Sequence, residues 1–125
     1  MRTAYQDSGD LALAPDLVRL APPEARAFLG MKAAAERTDG HIPPKYRELM
    51  SVAVALTTQC PYCIDDHTRK ARQAGATREE LAEVVFIAAA LKAGAAAGHG
   101  LMALRLFDAC RHPTMPAWTT AFSPP

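Results

Sequence analysis

The chain has 125 residues, enough for one domain with a real core and too few for two comfortable ones. Fourteen Lys and Arg stand against 13 Asp and Glu, a formal charge of +1 with the signs interspersed, which argues against nucleic acid or an acidic lipid surface as partner. Half the residues are hydrophobic, and three cysteines are an odd count for a disulfide-stapled secreted domain.

The start, MRTAYQDSGDLALAP, lacks the basic segment, apolar stretch and small-residue cleavage site of a secretory signal, so the cytoplasm is the expected compartment. Residues 1–14 read as a tail and 15–112 as one helical domain. Ala, Leu, Glu and Arg dominate the middle, and nowhere do β-branched and polar residues alternate over a sustained stretch. Pro22 and Pro23 can open a helix that runs to about Thr38, because proline is tolerated in a first turn. Asp39, Gly40 and His41 then make a loop.

Pro43 and Pro44 open the next helix, where Tyr46, Leu49, Met50, Ala53 and Thr57 recur at helical spacing and are expected to face the core. Glu48 lies off that stripe, with Ser51, Val52, Ala55 and Gln59, whose small side chains leave room beside a carboxylate. Pro61 cannot continue a helix from before it, which puts a break there and Cys60 near an N-cap. The new helix continues through Ile64, His67, Thr68 and Ala71 to Ala74, and Gly75 supplies a left-handed stop.

Thr77 and Glu80 form a capping box for another helix. It begins amphipathic at Leu81, Val84 and Val85 and then turns apolar on every side, so burial all round is expected, with one face against another subunit. Its uninterrupted apolar run, Val84 to Leu91, falls far short of the roughly 20 residues that cross a bilayer, and no membrane span is expected. Gly94 marks a bend, and Ala95, Ala96, Ala97 and Gly98 allow close helix approach. A last helix passes through Leu101, Leu104, Leu106 and Phe107 to an end near Arg111. Residues 113–125 form a second tail, proline-rich yet carrying Trp118 and Phe122, for which disorder and docking on a neighbouring subunit both stay open. The expected fold is all-α, with about six helices.

The chemistry concentrates in CPYCIDDH, residues 60–67. On a helix that begins at Pro61, Cys63 and His67 are four apart and share a face. Cys60 and Cys63 sit in the first turn, where unpaired amides and the helix dipole favour a thiolate. A thiolate attacks peroxides and disulfides, and His67 is placed to accept its proton. A second thiol within bonding distance condenses with the resulting sulfenic acid to a disulfide. Glu48 is the candidate carboxylate to orient His67. It stands about 16 Å from the turn and His67 about 10 Å, at roughly 1.5 Å per residue, so a bridging water is the expected link.

Other readings of these residues exist. One CxxC pair is half of a structural zinc site, and the remaining ligands would have to be His67 and His99. Cys110 reads as a small core residue. His99, within GHG, is either a polar lining group or a hydrogen-bonded core histidine; His41 and His112 read as loop or helix-end residues. Asp65 and Asp66 fit helix support near a positive dipole end. No Gly-rich phosphate loop or CxxCH motif is present, and no nucleotide, flavin, haem or other cofactor is expected.

From about Ile42 to Phe107 the chain resembles the alkylhydroperoxidase D-like branch of the carboxymuconolactone decarboxylase superfamily. The likeness is carried by RELMSVAVALTTQCPYCIDDHT, with a glutamate, a CxxC twelve residues on and a histidine four beyond, and by AGATREELAEVVFIAAALKAGAA. The resemblance implies a compact all-α fold whose subunits assemble, commonly as trimers or hexamers. It implies Cys63 as peroxidatic thiol, Cys60 as resolving thiol, Glu48 with His67 as proton relay, a hydroperoxide or disulfide substrate, and a dihydrolipoyl or other dithiol reductant. Tyr62 stands where the prototype has a histidine. The competing functions are a decarboxylase-type enzyme and a non-enzymatic redox sensor whose disulfide controls assembly.

Overall fold

Proline and glycine set most of the helix boundaries. The computed structural model describes residues 6–110, in which a 3-10 helix over Ser8–Leu13 leads into α1 (Ala14–Leu20), α2 (Pro22–Ala35), α3 (Pro44–Thr58), α4 (Pro61–Gln73) and α5 (Arg78–Ala109). The chain is all-helical, with no strand among the described residues. Helices α1 to α4 each carry proline in the first two positions, where its missing N–H has no intrahelical partner to lose. The expectations for Arg111, His112 and the 113–125 tail lie outside the described residues.

Part of the expected N-terminal tail is ordered into that 3-10 helix. Asp7 and Asp10 cap it reciprocally: the Gly9 amide donates to Asp7 Oδ1 at 2.7 Å and the Asp7 amide to Asp10 Oδ2 at 3.0 Å. Helix α2 stops at Ala35, three residues before the expected end. Side chains claim its last carbonyls: Arg37 donates to Ala34 O at 2.9 Å and Arg47 to Ala35 O at 2.5 Å.

The core stripe of α3 is rotated from the expected one. Leu49, Val52 and Ala55 are buried, together with Ala71 of α4 and Ala88 of α5, whereas Tyr46 is 51% and Met50 46% exposed. Helices α3 and α4 pack on each other. Periodicity reveals an apolar face but not which of two adjacent stripes a neighbour covers.

Two left-handed residues close α3 and α4. Gln59 sits at φ 57°, and the Cys60 amide reaches back to Ala55 O at 3.1 Å. Gly75 sits at φ 90°, with Ala76 N bonded to Ala71 O and Gly75 N to Arg72 O, the Schellman pattern. The expected Thr77–Glu80 capping box is present, with both bonds made at 2.9 and 3.1 Å.

Helix α5 is continuous through Gly94, where a bend was expected. A Cβ at Gly94, Gly98 or Gly100 would meet nothing within 4 Å. The flanking alanines, the strongest helix formers, carry the helix across glycines that cost about 1 kcal/mol each. By length and composition alone α5 is also long and apolar enough to cross a membrane, with a window of mean hydropathy 1.6. Counting only the uninterrupted run to Leu91 stopped at Lys92, a charge that a 32-residue helix can carry.

By contacts the chain divides into two units, the first ending at Ala88 and the second beginning at Ala89. In the first unit the α5 residues Val85, Phe86 and Ile87 are exposed. In the second unit Leu91, Leu101, Leu104 and Phe107 are exposed, as is Cys110, which was expected in a core.

Candidate redox site

The site grows out of the turn between α3 and α4. Gln59 in the left-handed region reverses the chain, and Cys60, extended at φ −102° and ψ 96°, becomes the N-cap of α4. Its sulfur accepts the Cys63 amide at 3.3 Å, a capping role normally taken by an oxygen. With Pro61 at the first helical position, Cys63 falls one turn along, and the two sulfurs lie at disulfide distance with Cα atoms 5.3 Å apart. The pair is in its oxidised state in this structure.

One further turn along α4 stands His67, only 12% exposed in its side chain. Its Nδ1 lies 2.6 Å from Glu48 Oε2 on α3, and that carboxylate is 13% exposed. The bridging water expected from axial heights is therefore not needed: the heights counted backbone positions, and two long side chains cover the offset. A carboxylate only accepts, so Nδ1 carries the proton in this contact and Nε2 of a neutral ring is left to accept another.

Sequence reasoning missed the carboxylate on the other side of the ring. Glu36, just past the end of α2, stands 3.7 Å from His67 Nε2. It also pairs with Lys32 and lies 3.7 Å from Lys70 Nζ. Burial pushes the Glu36 carboxyl up, but the Lys32 hydrogen bond and the charges of Lys32 and Lys70 outweigh it and hold it below the usual range. Lys70 is raised, mainly by its 2.7 Å bond to Asp66. The spacing of Lys32 and Glu36, four apart on α2, was the available signal; their meeting with α4 was not.

Beside the disulfide an open cleft of about 330 Å³ is lined by Cys63, His67, Arg47, Ser51, Thr58 and the apolar Met50, Val54 and Ala55. Cys63 and His67 thus face one space, as their shared helix face required. Tyr62 points elsewhere: its hydroxyl donates to Asp10 at 2.5 Å, tying α4 to the N-terminal 3-10 helix. His99 is exposed on α5, in the segment that forms the second unit. Among the described residues no three His, Cys, Asp or Glu side chains are grouped to hold a metal ion, and the paired sulfurs carry no thiolate in this state.

Comparison with known proteins bears on the family and the fold. The family model described as "Carboxymuconolactone decarboxylase family" matches residues 22–106. An uncharacterized protein of the cox locus of Paracoccus denitrificans is 44% identical over 82 residues, covering 66% of this chain and 73% of its own. An uncharacterized protein of Cupriavidus necator is 40% identical over 88 residues, covering 70% and 77%. Among solved structures, a Methanobacterium thermoautotrophicum protein superposes with a TM-score of 0.64 at 30% identity, covering 73% of this chain and 98% of that one. A carboxymuconolactone decarboxylase family protein from Legionella pneumophila, in its apo form, does so with 0.59 at 31% identity, covering 81% and 90%. On an alkylhydroperoxidase D-like helical fold, with its CxxC pair beside a Glu–His contact, this chain belongs to the carboxymuconolactone decarboxylase family.

Proposed function

We propose that the protein is a thiol-dependent peroxidase that works through the Cys60–Cys63 pair. The observation that carries this reading is the coincidence, at one cleft, of two sulfurs at disulfide distance with a histidine held by a buried carboxylate. Either half alone is common; together they supply a nucleophile, a proton acceptor and a resolving thiol.

In the reduced protein His67 removes the Cys63 proton. The thiolate then attacks the outer oxygen of a hydroperoxide, the O–O bond breaks, and the alkoxide leaves as alcohol with that proton. Cys63 is now a sulfenic acid. The Cys60 thiol attacks its sulfur, water departs, and the disulfide seen here forms. A small or protein-borne dithiol, of the dihydrolipoyl type, restores both thiols by exchange and leaves as a disulfide.

The proposal includes assembly. Phe86 at 73% and Leu91 at 70% exposure leave α5 with more bare apolar surface than a lone soluble chain keeps, and further copies of this chain, as a trimer or hexamer, would cover it.

The test is stopped-flow reaction of pre-reduced protein with cumene hydroperoxide, counting thiols before and after. Loss of two thiols per chain is expected, with none in Cys63→Ser. In Cys60→Ser one thiol is lost, and a sulfenic acid is trapped by dimedone. No thiol loss in the wild type would remove peroxide as substrate.

A further inference from the structure

Arg47 is the one cation lining the cleft that holds Cys63 and His67, and no carboxylate of the described residues pairs with it. Its Nη1 donates to Ala35 O at 2.5 Å and its Nη2 to Ile42 O at 3.4 Å. Those two bonds pin the loop between α2 and α3, but backbone carbonyls carry no formal charge to balance a guanidinium. Its Nε is buried and meets no acceptor among the described residues. Buried donors are nearly always satisfied, and this orphan belongs to a side chain that lines the cleft.

A second cation reinforces the first. Around Gly40 the guanidinium groups of Arg37 and Arg47 converge, and a Cβ there would collide with Arg47 and lie 3.3 Å from Arg37. Glycine leaves the space these two like charges occupy. Among the described residues Arg37 has only Asp39 as a counter-charge, at 3.8 Å and 87% exposed. The rest of the cleft wall between Arg47 and Cys63 is apolar or uncharged: Met50, Ser51, Val54, Ala55 and Thr58.

We infer that the cleft takes an amphipathic acid, a molecule with a carboxylate bound at Arg47 and an apolar stem along Met50, Val54 and Ala55 that presents its reactive end to Cys63. This inference rests on the peroxidase reading for the reactive end, but not for the acid-binding site itself. Guanidinium and carboxylate match as planar partners, and a charge-assisted bond in a partly enclosed cleft discriminates an acid from its neutral isostere.

Two measurements test it separately from peroxide chemistry. The first follows the Arg47 Nε–H resonance of ¹³C,¹⁵N-labelled wild-type protein, assigned by through-bond correlation along the Arg47 side chain to its backbone, during titration with octanoate or with 1-octanol. A saturable shift with octanoate and none with octanol at equal concentration is expected. Equal shifts, or none with octanoate, would overturn the site, and because the comparison uses wild-type protein it does not depend on any variant folding.

The second compares the wild-type reaction rate of an aliphatic hydroperoxide carrying a terminal carboxylate with that of its methyl ester. The acid should react about tenfold faster, the size of one charge-assisted hydrogen bond. Equal rates, both lost in Cys63→Ser, would leave a peroxidase without acid selectivity and overturn the inference. No reaction with either, while octanoate still shifts Arg47, would sustain the acid site and remove the peroxidase reading instead.

Discussion

At the scale of single residues, the direct contact between Glu48 and His67 sets the sharpest expectation. A 2.6 Å contact between His67 Nδ1 and Glu48 Oε2 orients the ring and favours the tautomer whose Nδ1–H donates to the carboxylate. Glu48→Gln keeps the shape but can present an N–H to the ring and reverse the preferred tautomer. The peroxide reaction of the reduced protein should slow by about 100-fold, the lower end of what a positioned acid–base group contributes. Its pH profile should change shape, and Glu48→Asp should recover part of the rate. A profile unchanged in Glu48→Gln would make the contact structural only. Gln59 gives a stability counterpart. A side chain at φ 57° costs roughly 1–2 kcal/mol, against about 0.5–1 for the extra freedom of glycine when unfolded, so Gln59→Gly should raise the urea midpoint slightly.

At the scale of elements, charge ties the end of α2 to α4. Glu36 meets Lys32, Lys70 and the His67 ring, and its carboxyl is held below its ordinary value. Asp66 is lowered as well: burial opposes ionisation, but the hydrogen bond from Lys70 prevails. Both groups have folded pKa values below their unfolded ones, so each contributes stability that is complete above the ordinary carboxylate range and lost as pH falls through the folded value. Urea midpoints should therefore hold steady from neutral pH to about pH 5 and fall below it, where free carboxylates begin to protonate. Glu36→Gln should flatten that acid limb, and an unchanged limb would assign it to other carboxylates. Gly94 belongs to the same scale: with nothing near its absent side chain, Gly94→Ala should stabilise the helix by about 1 kcal/mol.

At the scale of the whole molecule, the exposed Phe86, Leu91, Leu101 and Phe107 of α5 are what the proposed assembly would cover. On the proposed assembly, sedimentation of the purified protein should give a mass several times that of one chain without detergent, and Phe86→Glu, which places a charge on the exposed apolar face, should lower it. A monomer that needs detergent to stay in solution would point to a bilayer in place of further copies. If Gly94 lies in that interface, Gly94→Ala would lose assembly while gaining helix stability, and the two readouts separate the effects.

Much of this was legible in the chain. Prolines and a capping box announce where helices begin because their effects are local: a missing N–H, a fixed φ and a reciprocal hydrogen bond within one turn. That Cys63 and His67 line one cleft was legible for the same reason, since both ride one helix. The stripe that α3 buries, the meeting of Glu36 with His67 and the place of Arg47, which no described carboxylate pairs, in the wall of the Cys63 cleft were not. Each depends on how one helix rolls and slides against another, or on a loop that returns to a distant helix end. Those choices are made by packing and charge between segments far apart in sequence, and only the tertiary structure decides them.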